Sequence, residues 1–351
     1  MKCYYKGFFF VLLTLGIAVF PESLRARTLV GALQEEAAQE ETAYSEEEYN
    51  AYMSAANEPD YEKRGDMLLA FIKEYPKSTL MTYINAAYTQ LLFTCEQEKK
   101  YEQLEPLAEK WLKLHPGDMQ TMAYIVAAAG QLGHNQKCVD YLEQIYKLQP
   151  TGNYAKAIAD LHKKLGNDAE YIEWTEKLLE YPEYDADYGL RFELMQKYLG
   201  DGDMAKAAEY ARLTLKSAAL VRSDDPAVQE HLHKVKHVSY DLIGKIQYEE
   251  GDYKNAVESF QQALDLEKYC EGYYYIGMIL WKQESIEEAM IYFAAAELQG
   301  GTSGTKAKEH LEALYKSLHN DTTIGINKVY NKAKDLLEKK SKEILSAQDI
   351  R

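Results

Sequence analysis

Tyr240–Ala263 reads YDLIGKIQYEEGDYKNAVESFQQA, and Tyr273–Ala296, 33 residues further on, reads YYYIGMILWKQESIEEAMIYFAAA. In the first stretch Tyr240, Ile243 and Gly244 recur at i, i+3 and i+4, which is one face of a helix. Glu250-Gly251-Asp252 interrupts that periodicity. Tyr253 then opens a second run, with Ala256, Phe260 and Ala263 along one stripe. The second stretch repeats the pattern with Tyr273, Ile276 and Gly277, then Ile286, Ala289, Phe293 and Ala296. Two amphipathic helices joined by a short turn, recurring at this period, predict an array of helix-turn-helix units.

Punctuation upstream has the same spacing. Prolines fall at Pro76, Pro116, Pro150 and Pro182, in steps of 40, 34 and 32 residues. Each closes an apolar, helix-like run such as Ile145-Tyr146-Lys147-Leu148-Gln149-Pro150. Proline ends a helix because it lacks the N–H and its ring clashes with the preceding turn. Looser helix pairs are expected at Glu46–Ala56 with Tyr61–Tyr75, and at Thr79–Cys95 with Tyr101–Leu114. Residues 119–150, Tyr154–Leu165 with Ala169–Glu180, and 188–215 supply three more, making about seven repeats. Asp225-Pro226 reads as an N-cap followed by proline at the first helical position. The long helix it opens is expected to run to Glu250. Ser217–Asp225 is then the expected connector, and the expected place for a bend or a division of the array into two halves.

The chain has 351 residues and a net charge of −16. Lys2 and Lys6 precede an uncharged apolar run over 7–20, too short for a membrane span of about 20 residues. This reads as an export signal over residues 1–32, with Val30-Gly31-Ala32 the best-fitting cleavage site; an uncleaved anchor is the alternative. Residues 33–44 read as a flexible acidic lead-in. Cleavage after residue 32 leaves 36 basic and 55 acidic residues. Such a balance opposes nucleic-acid binding, which depends on neutralising phosphates. Cys95, Cys138 and Cys270 fall in separate repeats and are expected to be small buried residues rather than a disulfide framework.

The aligned residues of the two clear units resemble the tetratricopeptide repeat. That family has a large residue, then leucine-glycine, a small residue, an aromatic, another small residue and a closing proline. Tyr240, Ile243, Gly244, Ala256, Phe260 and Ala263 match, whereas Lys268 stands at the closing proline and Gln247 at the first-helix tyrosine, with Tyr248 one place late. The resemblance implies an all-α, right-handed superhelical solenoid of stacked helix-turn-helix repeats. It implies degenerate repeats over 45–218, clear repeats over 226–300 and capping helices over 303–351. In this family, first-helix positions turned away from the paired helix line a concave groove. Carried onto this chain, the implied groove residues are Asp241, Lys245, Tyr248 and Glu249, then Tyr274, Met278, Trp281 and Lys282. Flat aromatic anchors with a few orienting charges suit peptide recognition. Tyr248 and Trp281 fit equally well as packing between repeats.

No G-x-G-x-x-G, Walker-type, H-E-x-x-H or C-x-x-C pattern occurs, so no catalytic or cofactor site is expected. His233 and His237 share a helix face and have a spacing that could hold a metal. Lys234 and Lys236 oppose a cation there, so no metal is expected and a solvated face is the reading. Gly300–Gly304 reads as a linker. Lysines fill the polar side of a final helix expected near Ile324–Ile344, whose apolar side would seal the array. The expectation is a non-enzymatic, protein-binding scaffold of a bacterial cell envelope, without cofactor. A carbohydrate-binding accessory protein is the rival, because tyrosine, 30 residues here, also stacks on sugars.

Overall fold

The computed structural model describes residues 44–349. The expected export segment 1–32 and most of the lead-in lie outside the described residues. Among the described residues there are sixteen α-helices, one short 3-10 turn and no strand. The chain is an all-α repeat solenoid.

Two compact units divide at Leu178/Leu179. The described part of the first unit holds four helix pairs. These are α1 Glu46–Ala56 with α2 Tyr61–Glu74, α3 Met81–Gln97 with α4 Tyr101–Leu112, α5 Met119–Leu132 with α6 Asn135–Leu148, and α7 Gly152–Leu165 with α8 Asp168–Leu178. Side chains of Asp60, Asp118 and Thr151 accept hydrogen bonds from the first-turn N–H groups of α2, α5 and α7. Such caps fix helix starts and are worth about 1 kcal/mol each. The core of this unit is aromatic as well as aliphatic. Tyr88 stacks on Trp111 at 4.5 Å, and its hydroxyl donates to the Leu107 carbonyl at 2.8 Å. Cys95 and Cys138 are buried free thiols, and burial pushes both up to about 11. Glu105 is buried too, and it accepts from Lys137 Nζ at 2.5 Å and His134 Nδ1 at 2.9 Å. Burial alone would push its carboxyl up, but the Lys137 and His134 bonds outweigh that and hold it below the ordinary value.

The second unit holds α9 Tyr188–Gly200 with α10 Met204–Ala218, α11 Pro226–Glu249 with α12 Tyr253–Leu266, and α13 Cys270–Lys282 with α14 Ile286–Gln299. Two further helices follow, α15 Gly301–Leu318 and α16 Asn327–Asp349. Asp225 caps α11 by accepting from Ala227 N–H, with Pro226 at the first helical position as the sequence predicts.

Two expectations are corrected. The division of the array does not fall at Ser217–Asp225. Helices α10 and α11 pack against each other across that connector, whereas the helix-poor stretch around the 3-10 turn Pro182–Tyr184 follows the boundary closely. Gly300–Gly304 is not a linker, because α15 begins at Gly301 and Gly304 is buried. A Cβ at Gly304 would lie 3.0 Å from the Ala296 carbonyl oxygen, so the glycine lets α15 approach the backbone of α14.

Helix α16 packs on α14 and on α12. Ile326, Val329, Tyr330, Leu336 and Leu337 are partly buried against the core, and Ala333 is fully buried. Polar contacts pin its ends: Tyr330 hydroxyl to Glu297, Lys268 Nζ to Ser341 Oγ, and Lys340 to Asp265. Its apolar side is therefore spent on the array, while Lys328, Lys332, Lys334, Lys339 and Lys342 remain exposed.

Candidate functional site

Positions 244 and 277 decide how the two clear repeats close. Gly244 of α11 faces Phe260 of α12, and a Cβ there would lie 2.9 Å from the ring. Gly277 of α13 faces Phe293 of α14 in the same way, at 2.8 Å. Both phenylalanines are fully buried, each contributing about 1.5–3 kcal/mol by the usual area scale. Ala256 and Ala289 at the helix crossings are fully buried as well. The turn between α11 and α12 requires Gly251, whose φ of 80° is costly for a side chain.

This packing sets the register of the first helices and aligns a strip of rings. Tyr253, the first residue of α12, lies 5.8 Å from Tyr248 of α11. Tyr248 meets Tyr275 of α13 edge-on at 5.1 Å, and Tyr275 meets Tyr274 at 5.6 Å. Tyr274 stacks on His310 of α15 at 6.0 Å, and His310 lies 5.3 Å from Trp281. Five of these six groups are half-buried tyrosine or histidine, and the sixth, Trp281, is half-buried too.

Charges fix the strip in place. Lys282 Nζ lies 4.6 Å above the Tyr248 ring and 5.0 Å above Tyr253, and donates to the Tyr253 hydroxyl at 3.0 Å. Those contacts raise the Lys282 ammonium above its ordinary value. A cation over two π faces is attracted by their quadrupoles. Asp241 accepts from Lys245 Nζ at 2.6 Å and from the Tyr269 hydroxyl at 2.9 Å. Burial, and then the Asp241 charge, push the Tyr269 phenol well above its ordinary range. Tyr269 is thus a neutral donor that anchors the Asp241–Lys245 pair.

Six of the eight groove residues implied by the resemblance fall into two clusters. Tyr248 and Lys282 touch each other across the repeat boundary, with the Asp241–Lys245 pair on the same helix as Tyr248. Tyr274 and Trp281 meet at His310. Trp281 also lies edge-on to Phe293 of its own partner helix at 6.3 Å, so it both packs the repeat and shows a half-exposed edge. Met278 is half-buried against the core, and Glu249 is exposed. Sequence reasoning missed Tyr253, Tyr275 and His310. Tyr275 stacks on Phe260 at 5.2 Å and stands in place of Leu242 of the preceding repeat, so the repeat pattern marks it as core. His310 carries no periodic signal.

The histidines of α11 correct another expectation, because they do not form a solvated face. His233 Nε2 donates to the Leu266 carbonyl at 2.7 Å and His237 Nδ1 to the Ala263 carbonyl at 3.2 Å. The Leu266 carbonyl, the last of α12, has no partner within the helix, whereas the Ala263 carbonyl also accepts from the Glu267 N–H at 3.0 Å. His231 Nδ1 pairs instead with the Tyr188 hydroxyl at 2.9 Å. No cluster of metal-ligating side chains occurs among the described residues. No helix among them is long and apolar enough to cross a membrane.

Residues 237–270 match the tetratricopeptide repeat family. That stretch contains Gly244, Ala256, Phe260 and Ala263, and the same glycine–phenylalanine contact recurs 33 residues later. The chain thus carries a tetratricopeptide repeat within its all-α array, a motif whose fold suggests a protein–protein interaction scaffold and whose family is generally non-catalytic. No curated protein matches the sequence significantly.

Solved structures with similar helix arrays include a tetratricopeptide repeat protein from Parabacteroides merdae, at 16% identity over 76% of this chain and 96% of that one, with a TM-score of 0.29. The C-terminal part of a repeat protein from Cytophaga hutchinsonii is 16% identical over 73% of this chain and 94% of that one, TM-score 0.32. YrrB, described as a repeat protein with an unusual peptide-binding site, is 13% identical over 57% and 92%, TM-score 0.31. Similarities this low bear on no functional detail.

Proposed function

We propose that the protein is an exported scaffold that captures an extended segment or helix of a partner protein along the first helices of its last repeats. The observation that supports this reading is the ring strip from Tyr253 to Trp281. Its rings are half-buried, so packing holds them while part of each residue stays accessible. Rigid aromatic anchors with low entropy cost are the groups that dominate protein interfaces. Lys245, Lys282 and the exposed Glu249 supply charges around them that can orient a bound chain.

The test is a displayed peptide library selected on the intact chain, followed by Tyr248→Ala and Trp281→Ala. Loss of an anchor of this kind costs about 2 kcal/mol or more, roughly thirtyfold in affinity. Retained affinity in both variants sinks the assignment, whatever the melting temperature does. The envelope location rests on the 1–32 segment alone. Mass spectrometry of the native protein should find an N-terminus shortened by about 26–32 residues. An intact Met1 ends that part of the proposal.

A further inference from the structure

Outside the ring strip, a cleft of about 460 Å³ opens between α11 and α12. Its volume falls within the range of about 300–1,000 Å³ usual for small-ligand sites. Tyr240 and Gln247 line it from α11, and Asn255, Val257, Glu258, Ser259, Gln261 and Gln262 from α12. The lining holds one carboxylate and no cationic side chain.

Several of these groups are held in place with hydrogen-bonding capacity to spare. Ser259 Oγ donates to Gln247 Oε1 at 2.7 Å, which leaves the Gln247 N–H groups able to donate. Gln261 Nε2 donates to the Tyr292 hydroxyl at 3.2 Å, and its carbonyl remains an acceptor. Asn255 Nδ2 donates to Asp252 at 2.6 Å, again leaving a carbonyl. Glu258 and Gln262 are exposed, and the Tyr240 ring is half-buried. Preorganised groups of this kind lose little entropy when a ligand arrives.

The fold does not demand these residues. Shifted by 33 positions into the next repeat, Gln247, Glu258, Gln261 and Gln262 become Leu280, Ile291, Ala294 and Ala295. Ala294 and Ala295 are fully buried there, and both α15 and α16 pack on α14. One repeat thus uses this surface as apolar packing, while its neighbour keeps it polar and open.

We propose that the cleft between α11 and α12 binds a neutral oligosaccharide. An aromatic ring beside mixed amide donors and carbonyl acceptors matches the alternating C–H faces and hydroxyls of a sugar. The absence of a cation from the lining selects against phosphate and uronate ligands. This site shares no residue with the ring strip, so it stands whether or not the strip binds peptide.

The experiment is calorimetric titration of the intact chain with short neutral oligosaccharides of glucose, galactose and N-acetylglucosamine. It is repeated with Gln247→Leu and with the exposed pair Glu258→Ala and Gln262→Ala. The unaltered chain binds at least one of these sugars, and each variant binds about tenfold more weakly, as loss of a polar contact predicts. The double variant keeps its melting temperature, because both side chains face solvent. No binding by the unaltered chain at millimolar sugar overturns the proposal, as does equal binding by both variants. Tighter binding of an anionic sugar overturns the neutral assignment.

Discussion

Replacing Gly244 with alanine separates the packing account from ordinary helix propensity, because the two predict opposite signs. In an exposed helix interior, glycine to alanine stabilises by about 0.8–1 kcal/mol. At Gly244 the added Cβ would lie 2.9 Å from two atoms of the Phe260 ring, closer than real Cβ contacts come, and a tight 3.1 Å from Cγ. The ring has little room to retreat, since it is fully buried and stacks on Tyr275 at 5.2 Å. Overpacking of this kind costs about 1–3 kcal/mol. Set against the propensity gain, the net loss is about 0–2 kcal/mol, so the stabilisation expected of an exposed site is cancelled or reversed. For a unit of this size that lowers the melting temperature by up to about 8 °C. The paired control is Gly200→Ala in the last turn of α9, where a Cβ meets nothing within 4 Å. That change should leave the melting temperature level or raise it. Differential scanning calorimetry of both variants reads the sign directly. Adding Phe260→Leu to Gly244→Ala should restore part of the loss, because neighbours in contact couple. If Gly244→Ala behaves like Gly200→Ala, the glycine–phenylalanine contact does not set the helix crossing and the repeat register is wrong.

Other consequences follow from the same contacts. Ala256→Leu forces a larger side chain into a fully buried crossing and should cost about 1–3 kcal/mol, visible in a circular-dichroism melt. The Glu105 carboxylate has a folded pKa held below its unfolded value, so its stabilisation is present above an ordinary carboxylate pKa of about 4.3 and is lost as pH falls through the lower folded value. Melting temperature measured against pH should therefore fall in that acid window, and Glu105→Gln should flatten the fall. In a Cys3→Ser background, Cys95 and Cys138, with thiols near 11, expose only about 0.1% thiolate at pH 8 and should resist a thiol reagent until the chain unfolds. Cys270 is half-buried and should be labelled first.

Much of the architecture was legible because it depends on local pattern. Helix starts at Asp225-Pro226 and the glycine–phenylalanine register of residues 240–296 follow from capping and periodicity, which act within a few residues. Features that depend on distant partners were not legible. The division at Leu178/Leu179 reflects which helices pack across a connector, and no residue in Ser217–Asp225 announces that α10 and α11 meet. His233 and His237 look like a solvated pair until the end of α12 is placed beside them. Gly304 reads as a linker residue because its partner, the Ala296 carbonyl, lies on another helix. The site shows the same limit. Tyr248, Tyr274 and Trp281 could be named from their repeat positions, whereas His310 joins the strip only through α15.

Hydrogen–deuterium exchange of the intact chain, with and without a library-selected peptide, tests the central claim most directly. The account predicts added protection concentrated in residues 241–249 of α11 and 274–282 of α13, and lost when Tyr248 or Trp281 is replaced by alanine. Protection confined to other helices, or unchanged by those replacements, would contradict it.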